Sequence, residues 1–279
     1  VDKTTSDSGF IHKLNATYKF NEDALVYATW SRGFRPGGVN RRATLPPYQA
    51  DYLTNWELGW KTSWMDNRLT FNGALFRQEW KDFQFTILGQ NGLTEIKNAN
   101  QARIDGLEMD INFAATVNLQ ISAGVAFYDA KLTENYCGFT DVNGNPVTDC
   151  ADPEAPSGTR LPVTADFKGN LNARYTFDWN GYEPFIQGSV VYEGSRTSDL
   201  RIIEREILGN MPSYTMFDLS AGIRKDSWTL NLYVKNLFDE RAEFNRFTMC
   251  AVTVCGASGV VPEYPDGQVY TVAAQPRTI

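Results

Sequence analysis

The chain alternates. Amphipathic stretches of roughly ten residues, the length of a membrane-crossing β-strand, are joined in turn by a tight polar turn and a long irregular connection. The tight turns fall at Asn21-Glu22-Asp23, Met65-Asp66-Asn67, Ala115 to Asn118, Asp178-Trp179-Asn180-Gly181 and Lys225-Asp226-Ser227. The long connections lie near 33–51, 86–101, 130–162, 195–212 and 240–267. If the stretches are strands, every long connection emerges on one side of the sheet and every short turn on the other.

Period-two alternation supports strands. In 52–64, Trp56, Leu58, Trp60 and Trp64 share one parity, while Asn55, Glu57, Gly59, Lys61 and Ser63 share the other. In 104–113, Leu107, Met109, Ile111 and Phe113 oppose Gly106, Glu108, Asp110 and Asn112. The same division recurs at 119–128, 167–177 and 217–224. Strands at 9–20, 24–32, 68–80, 183–194, 228–237 and 268–279 are less clean, and at 24–32 both parities carry large apolar groups. The expected count is ten complete strands, with an eleventh that starts near Gln268 and is cut off at Ile279.

Alternation alone also suits a soluble sandwich. Mid-strand Lys, Arg, Glu and Asp on the polar parity fit a wet lumen better. Aromatics gather near the short turns (Phe20, Trp64, Phe177, Trp179, Trp228) and near the long connections (Trp30, Tyr52, Tyr128, Tyr192, Tyr214), as at two membrane interfaces. A mean hydropathy of −0.37 does not oppose this, because a barrel strand shows lipid only every second residue. No apolar run approaches the ~18 residues of a membrane helix. The expected fold is therefore all-β, an antiparallel transmembrane barrel with long extracellular loops and short periplasmic turns. An odd strand count that begins at the loop side points to the C-terminal part of a larger barrel. A soluble secreted β-domain remains open, and would need a second sheet over Trp56, Trp60 and Trp64.

A net charge of −7 and a pI near 4.9 leave no basic stripe for nucleic acid. The chain opens at Val1 without a signal segment, as a mature product or internal fragment would. Cys137 and Cys150 share one long loop, and Cys250 and Cys255 another. Of the three possible connectivities, pairing within each loop is the economical one; free or metal-bound thiols are the alternative. The lone His12 is expected to be structural or exposed. No catalytic or cofactor motif is present: there is no His pair, G-x-S-x-G elbow, P-loop or dinucleotide fingerprint. No enzyme activity and no cofactor are expected.

Several segments resemble the C-terminal barrel of TonB-dependent outer-membrane receptors. Tyr27-Ala28-Thr29-Trp30-Ser31-Arg32-Gly33-Phe34-Arg35-Pro36-Gly37-Gly38 looks like a family strand ending in Ser, a basic residue, Gly-Phe and a glycine pair. Asn98 to Glu108, with Ala102-Arg103-Ile104-Asp105-Gly106-Leu107-Glu108, is similar to a family strand entry. Val234-Lys235-Asn236-Leu237-Phe238-Asp239-Glu240-Arg241 resembles the penultimate strand and its exit, and Pro276-Arg277-Thr278-Ile279 the start of the last. The segments occur in family order across nearly the whole chain. The resemblance implies that 1–279 is the C-terminal part of the barrel, about the last 11 of 22 strands. The plug domain, the TonB-binding segment, the first strands and the end of the closing strand are not in it. It further implies a bacterial outer-membrane location, contact with membrane lipid and lipopolysaccharide, and coupling to the TonB complex through the missing N-terminal region. The implied activity is energised uptake of a small-molecule ligand, an iron chelate of the ferric-siderophore type foremost. A passive porin or structural barrel is the alternative.

Candidate ligand contacts sit in the long loops. Arg32, Arg35, Arg41 and Arg42 would suit an anionic chelate, although a solvated rim paired with acidic loops or lipopolysaccharide phosphates is the reading the sequence favours. Arg201 and Arg205, interleaved with Glu204 and Glu206, read as a self-paired loop. Phe83, Phe85, Phe244 and Phe247 fit a ligand vestibule or loop packing equally well.

Overall fold

The computed structural model describes residues 6–40, 45–88, 94–141, 145–248 and 269–279. In chain order the first strands are β1 (His12–Lys19), β2 (Ala24–Arg35), β3 (Asp51–Trp64) and β4 (Leu69–Lys81), followed by a hairpin, β5 (Gln84–Leu88) and β6 (Thr94–Asn98). Next come β7 (Gln101–Ala114), β8 (Leu119–Leu132), β9 (Phe167–Thr176) and β10 (Glu183–Glu193). A small loop unit follows: β11 (Arg196–Thr197), helix α1 (Ile202–Leu208) and β12 (Asn210–Met211). Last are β13 (Tyr214–Lys225), β14 (Trp228–Val234), β15 (Glu243–Thr248) and β16 (Val269–Ala273).

Ten of these strands form one antiparallel sheet in the order β1-β2-β3-β4-β7-β8-β9-β10-β13-β14. Each neighbour follows its predecessor along the chain, with loop elements inserted only at the long-connection end. The turns at the other end are locally encoded. Asn180 and Gly181 both take positive φ (54° and 75°), and Trp179 and Tyr182 exchange backbone hydrogen bonds of 2.9 and 3.0 Å. That is a two-residue turn whose twist matches the flanking strands.

The expected eleventh strand requires correction. Val269–Ala273 pairs with Glu243–Thr248 in a hairpin of its own, outside the large sheet. Among the described residues after β15, only Thr278 reaches the sheet, bridging Lys235 just past β14. The Asn236-Leu237-Phe238-Asp239 exit explains why. Asn236, buried at φ 52°, takes the Asp218 carboxylate on its backbone N–H and donates its side-chain amide to the Glu240 and Gln275 carbonyls. Asp239 then accepts the Arg277 N–H. The chain is folded back by this knot before it rejoins the sheet edge.

Register also assigns β2, which sequence left open. Leu25, Tyr27, Thr29 and Ser31 stand opposite Lys61, Gly59, Glu57 and Asn55, and so belong to the polar face. Tyr128 and Tyr214 lie on that face too, so they leave the aromatic set expected at the loop-side interface; Trp30, Tyr52 and Tyr192 remain on the apolar one. The wall itself has almost no buried side chains. The core lies at the long-loop end, where Phe83, Ala99, Ala102, Ala130, Leu132, Tyr136, Ala155, Leu161 and Leu200 pack together.

Candidate functional site

The polar face of the sheet carries hydrogen-bonding groups on every strand from β2 to β13, with Phe76, Phe185 and Val191 among them. Three tyrosines spread along it donate to glutamates: Tyr27 to Glu57 at 2.8 Å, Tyr128 to Glu108 at 2.5 Å and Tyr214 to Glu193 at 2.7 Å. Glu193 also pairs with Lys168 at 3.3 Å and with the buried Arg196. Tyr27 lies directly over Gly59, where a Cβ would sit 2.3 Å from the ring; the glycine is what lets the phenol reach Glu57. Below these pairs runs a row of small polar groups, Ser63, Thr70, Asn112, Ser122, Asn172 and Ser189, with Asn172 donating to Ser189 at 2.8 Å. A concavity of about 740 Å³ borders Lys61, Glu108, Asp110, Lys168, Asn170 and Glu193. No cluster of three metal-ligating side chains exists among the described residues.

At the loop end the polar face closes on one buried carboxylate. Asp51, 1% exposed, accepts from the Arg35 guanidinium, from the Trp80 indole at 2.9 Å and from the Gln84 backbone N–H at 3.1 Å. It thereby ties the ends of β2 and β4 and the start of β5 to the first residue of β3. Arg35 also lies 5.0 Å over the Trp80 ring and donates to the Gln84 carbonyl. Its charge is matched inside the fold.

The four arginine candidates are not brought together. Arg32 has the opposite parity to Arg35, and its guanidinium lies 4.5 Å over Tyr52 on the apolar face. Arg41 and Arg42 lie outside the described residues. Phe83 is buried and links Trp80 (4.6 Å) to Phe85 (5.8 Å), which meets Tyr136 edge-on at 5.0 Å. Phe244 and Phe247 stand apart, on β15, against Tyr214 and Tyr270 respectively; both are more than a third exposed. Arg201 pairs with Asp199 and Glu204, at 3.1 and 2.7 Å, the self-pairing expected of its loop. Cys137 and Cys150 form a disulfide; Cys250 and Cys255 lie outside the described residues.

The meander, the one-sided loops and the two-faced wall converge with a direct match. Residues 1–237 fit the family described as TonB dependent receptor-like, beta-barrel. The chain belongs to that family. Its members are bacterial outer-membrane transport receptors rather than enzymes, so the apolar face is the lipid side and the polar face the lumen. Among curated relatives of this TonB-dependent receptor barrel is a probable TonB-dependent siderophore receptor, PiuA, of Acinetobacter baumannii, 25% identical over 248 residues, 85% of this chain and 31% of that protein. Another is the metal-pseudopaline receptor CntO of Pseudomonas aeruginosa, 25% identical over 231 residues, 82% of this chain and 29% of that protein. The fold matches the ferric yersiniabactin uptake receptor FyuA of Yersinia pestis with a TM-score of 0.69 at 19% identity, over 95% of this chain and 35% of that one. The chain thus spans about a third of the length of these relatives.

Sequence reasoning missed Asp51 and the tyrosine–glutamate pairs. The pairs were accessible in principle, since each glutamate sits on the charged parity of its strand. Asp51 gave no signal, because its partners come from β2, β4 and β5.

Proposed function

We propose that residues 1–279 supply the C-terminal part of the barrel wall, about the last half of 22 strands, of a receptor that imports an iron chelate of the ferric-siderophore type. TonB-supplied energy would act through the region that precedes these residues in the complete protein. The carrying observation is the family match over residues 1–237, alongside relatives named as siderophore and metal-chelate receptors. The lumenal wall suits a transport path, because it offers hydrogen-bonding groups along its length and no bond-breaking constellation among the described residues. Chelate contacts are proposed at the loop end. There Phe244 and Phe247 are the exposed aromatic candidates, Arg41 and Arg42 remain candidates, and Arg35, Phe83 and Phe85 shape the floor. Arg32, on the lipid side of the wall, stands outside this set.

The test is uptake of a panel of radiolabelled ferric chelates into cells expressing the complete receptor, with and without TonB. Saturable, TonB-dependent accumulation of one chelate class is expected. Uptake that persists unchanged without TonB, or that scales linearly with solute concentration, would replace this reading with a passive porin.

A further inference from the structure

The lumenal wall changes character near the short turns of its C-terminal strands. There, on the polar face of β9, β10 and β13, Arg174 stands beside Gln187, Phe185 beside Gly222 and Glu183 beside Arg224. A concavity of about 530 Å³ opens over them, at the periplasmic end of the lumen. Two cations and one carboxylate line it, whereas the lumenal carboxylates Glu57, Glu108 and Asp110 lie on β3 and β7.

The two arginines are held differently. Arg224 pairs with Glu183, its register neighbour, at 2.6 Å. Arg174 has no ion pair among the described residues. Its guanidinium carbon lies 3.7 Å over the Phe185 ring centroid, and Nη1 donates to Gln187 Oε1 at 3.4 Å. Phe185 is an apolar ring on a polar wall, and Gly222 makes room for it. A Cβ at Gly222 would overlap that ring and stand 2.7 Å from the Leu230 carbonyl oxygen. The stack holds the guanidinium plane through its face and leaves the edge donors Nε and Nη2 turned to the concavity, without a partner among the described residues.

We propose that Arg174, stacked on Phe185, is a carboxylate-binding subsite at the periplasmic end of the transport path, where it takes a free carboxylate of the ferric chelate on its way out of the lumen. A guanidinium fixed in one plane offers the paired donors that a carboxylate accepts. Glu183 offsets Arg224, so Arg174 is the uncompensated cation of the concavity. One such contact favours a carboxylate over a neutral oxygen donor and is still weak enough to release it, as a passing site requires. The inference rests on the transport reading and adds to it that the solute carries at least one carboxylate not bound to iron.

The first arm of the test needs no variant. The complete receptor is treated with phenylglyoxal, which modifies open guanidinium groups, and labelling is read by peptide mass spectrometry with citrate as the probe. Citrate should slow labelling of Arg174 about fivefold or more, and its uncharged triamide should not. Arg174 that resists labelling without citrate is covered by the plug, and equal protection by the triamide means no carboxylate preference; either result overturns the proposal. The second arm is uptake of ferric chelates with and without a free carboxylate. Arg174→Gln should lower the maximal TonB-dependent rate for the carboxylate chelate about tenfold and leave its binding at the cell surface unchanged, which also shows that the variant has folded. Arg174→Lys should recover part of the rate. An unchanged rate in Arg174→Gln, or import confined to chelates without a free carboxylate, would overturn the proposal. Wild-type uptake indifferent to TonB would instead refute the transport reading, and citrate protection of Arg174 then decides the subsite alone.

Discussion

The wall and the loop end of this molecule are built on different principles. In the wall, Leu58, Leu75, Leu171 and Leu219 are each 40% or more exposed within the protein, and stability comes from strand pairing with lipid on one side and lumen on the other. At the loop end, Leu132 and Leu200 are 1% exposed and pack into a cluster like that of a soluble domain. Cys137–Cys150 and the Asp51 knot hold the loops onto that cluster. One part of the molecule takes its hydrophobic environment from the membrane, and the other makes its own.

Paired truncations should break this comparison if it is wrong, and they carry the largest effect. Leu132→Ala leaves a cavity among fixed neighbours and should cost about 2–5 kcal/mol of loop-end stability. Leu58→Ala leaves no cavity, because lipid or detergent fills the space, and should lose only the transfer part of that cost, about 2 kcal/mol or less. Thermal or denaturant unfolding of the two variants in the same bilayer would measure the difference. Equal losses would mean that the wall has a packed interior after all.

A middle-sized effect should separate the two regions again. Reducing Cys137–Cys150, 13 residues apart in sequence, removes a constraint worth about 2–3 kcal/mol in the chain-entropy view. Hydrogen exchange should speed up around 133–161 while β3, β4 and β7 keep their protection. Faster exchange across the wall strands on reduction would show that the wall depends on the loops for its register.

The same division decides what could be read from sequence. The wall was legible because a strand with different media on its two faces must alternate; Trp56-Leu58-Trp60 against Glu57-Gly59-Lys61 leaves little choice. Where both parities are apolar, as at 24–32, pattern gave no face, and cross-strand register supplied it. The eleventh strand was misplaced because pattern does not name a partner. Val269–Ala273 has strand composition, but Glu243–Thr248 captures it in a hairpin before the edge of the sheet can. The candidate loop residues were picked by type alone, and type does not reveal partners. Arg35 is matched by Asp51 and Phe83 is core through contacts between segments far apart in sequence, whereas Arg32 faces the other way from Arg35 by parity alone, once the strand is seen to run on to Arg35.

The smallest expected effect concerns charge at the loop end. Glu204 and Asp82 both have carboxyl pKa values pushed up, first by burial; Arg201 beside Glu204 and Lys81 beside Asp82 only partly oppose it. The folded state thus holds a proton more tightly than the unfolded chain. The associated stability is fully present below the ordinary carboxylate range near pH 4 and is lost as pH rises through the elevated folded values. Loop-end protection, corrected for intrinsic exchange rates, should therefore fall modestly around 81–100 and 199–208 between pH 4 and 7, while the mid-wall strands show no matching trend. Glu204→Gln should flatten the response of the helix segment and leave that around Asp82 in place. A rise in protection with pH would mean that the Arg201–Glu204 ion pair outweighs burial, and that this loop is held by charge more than by its core.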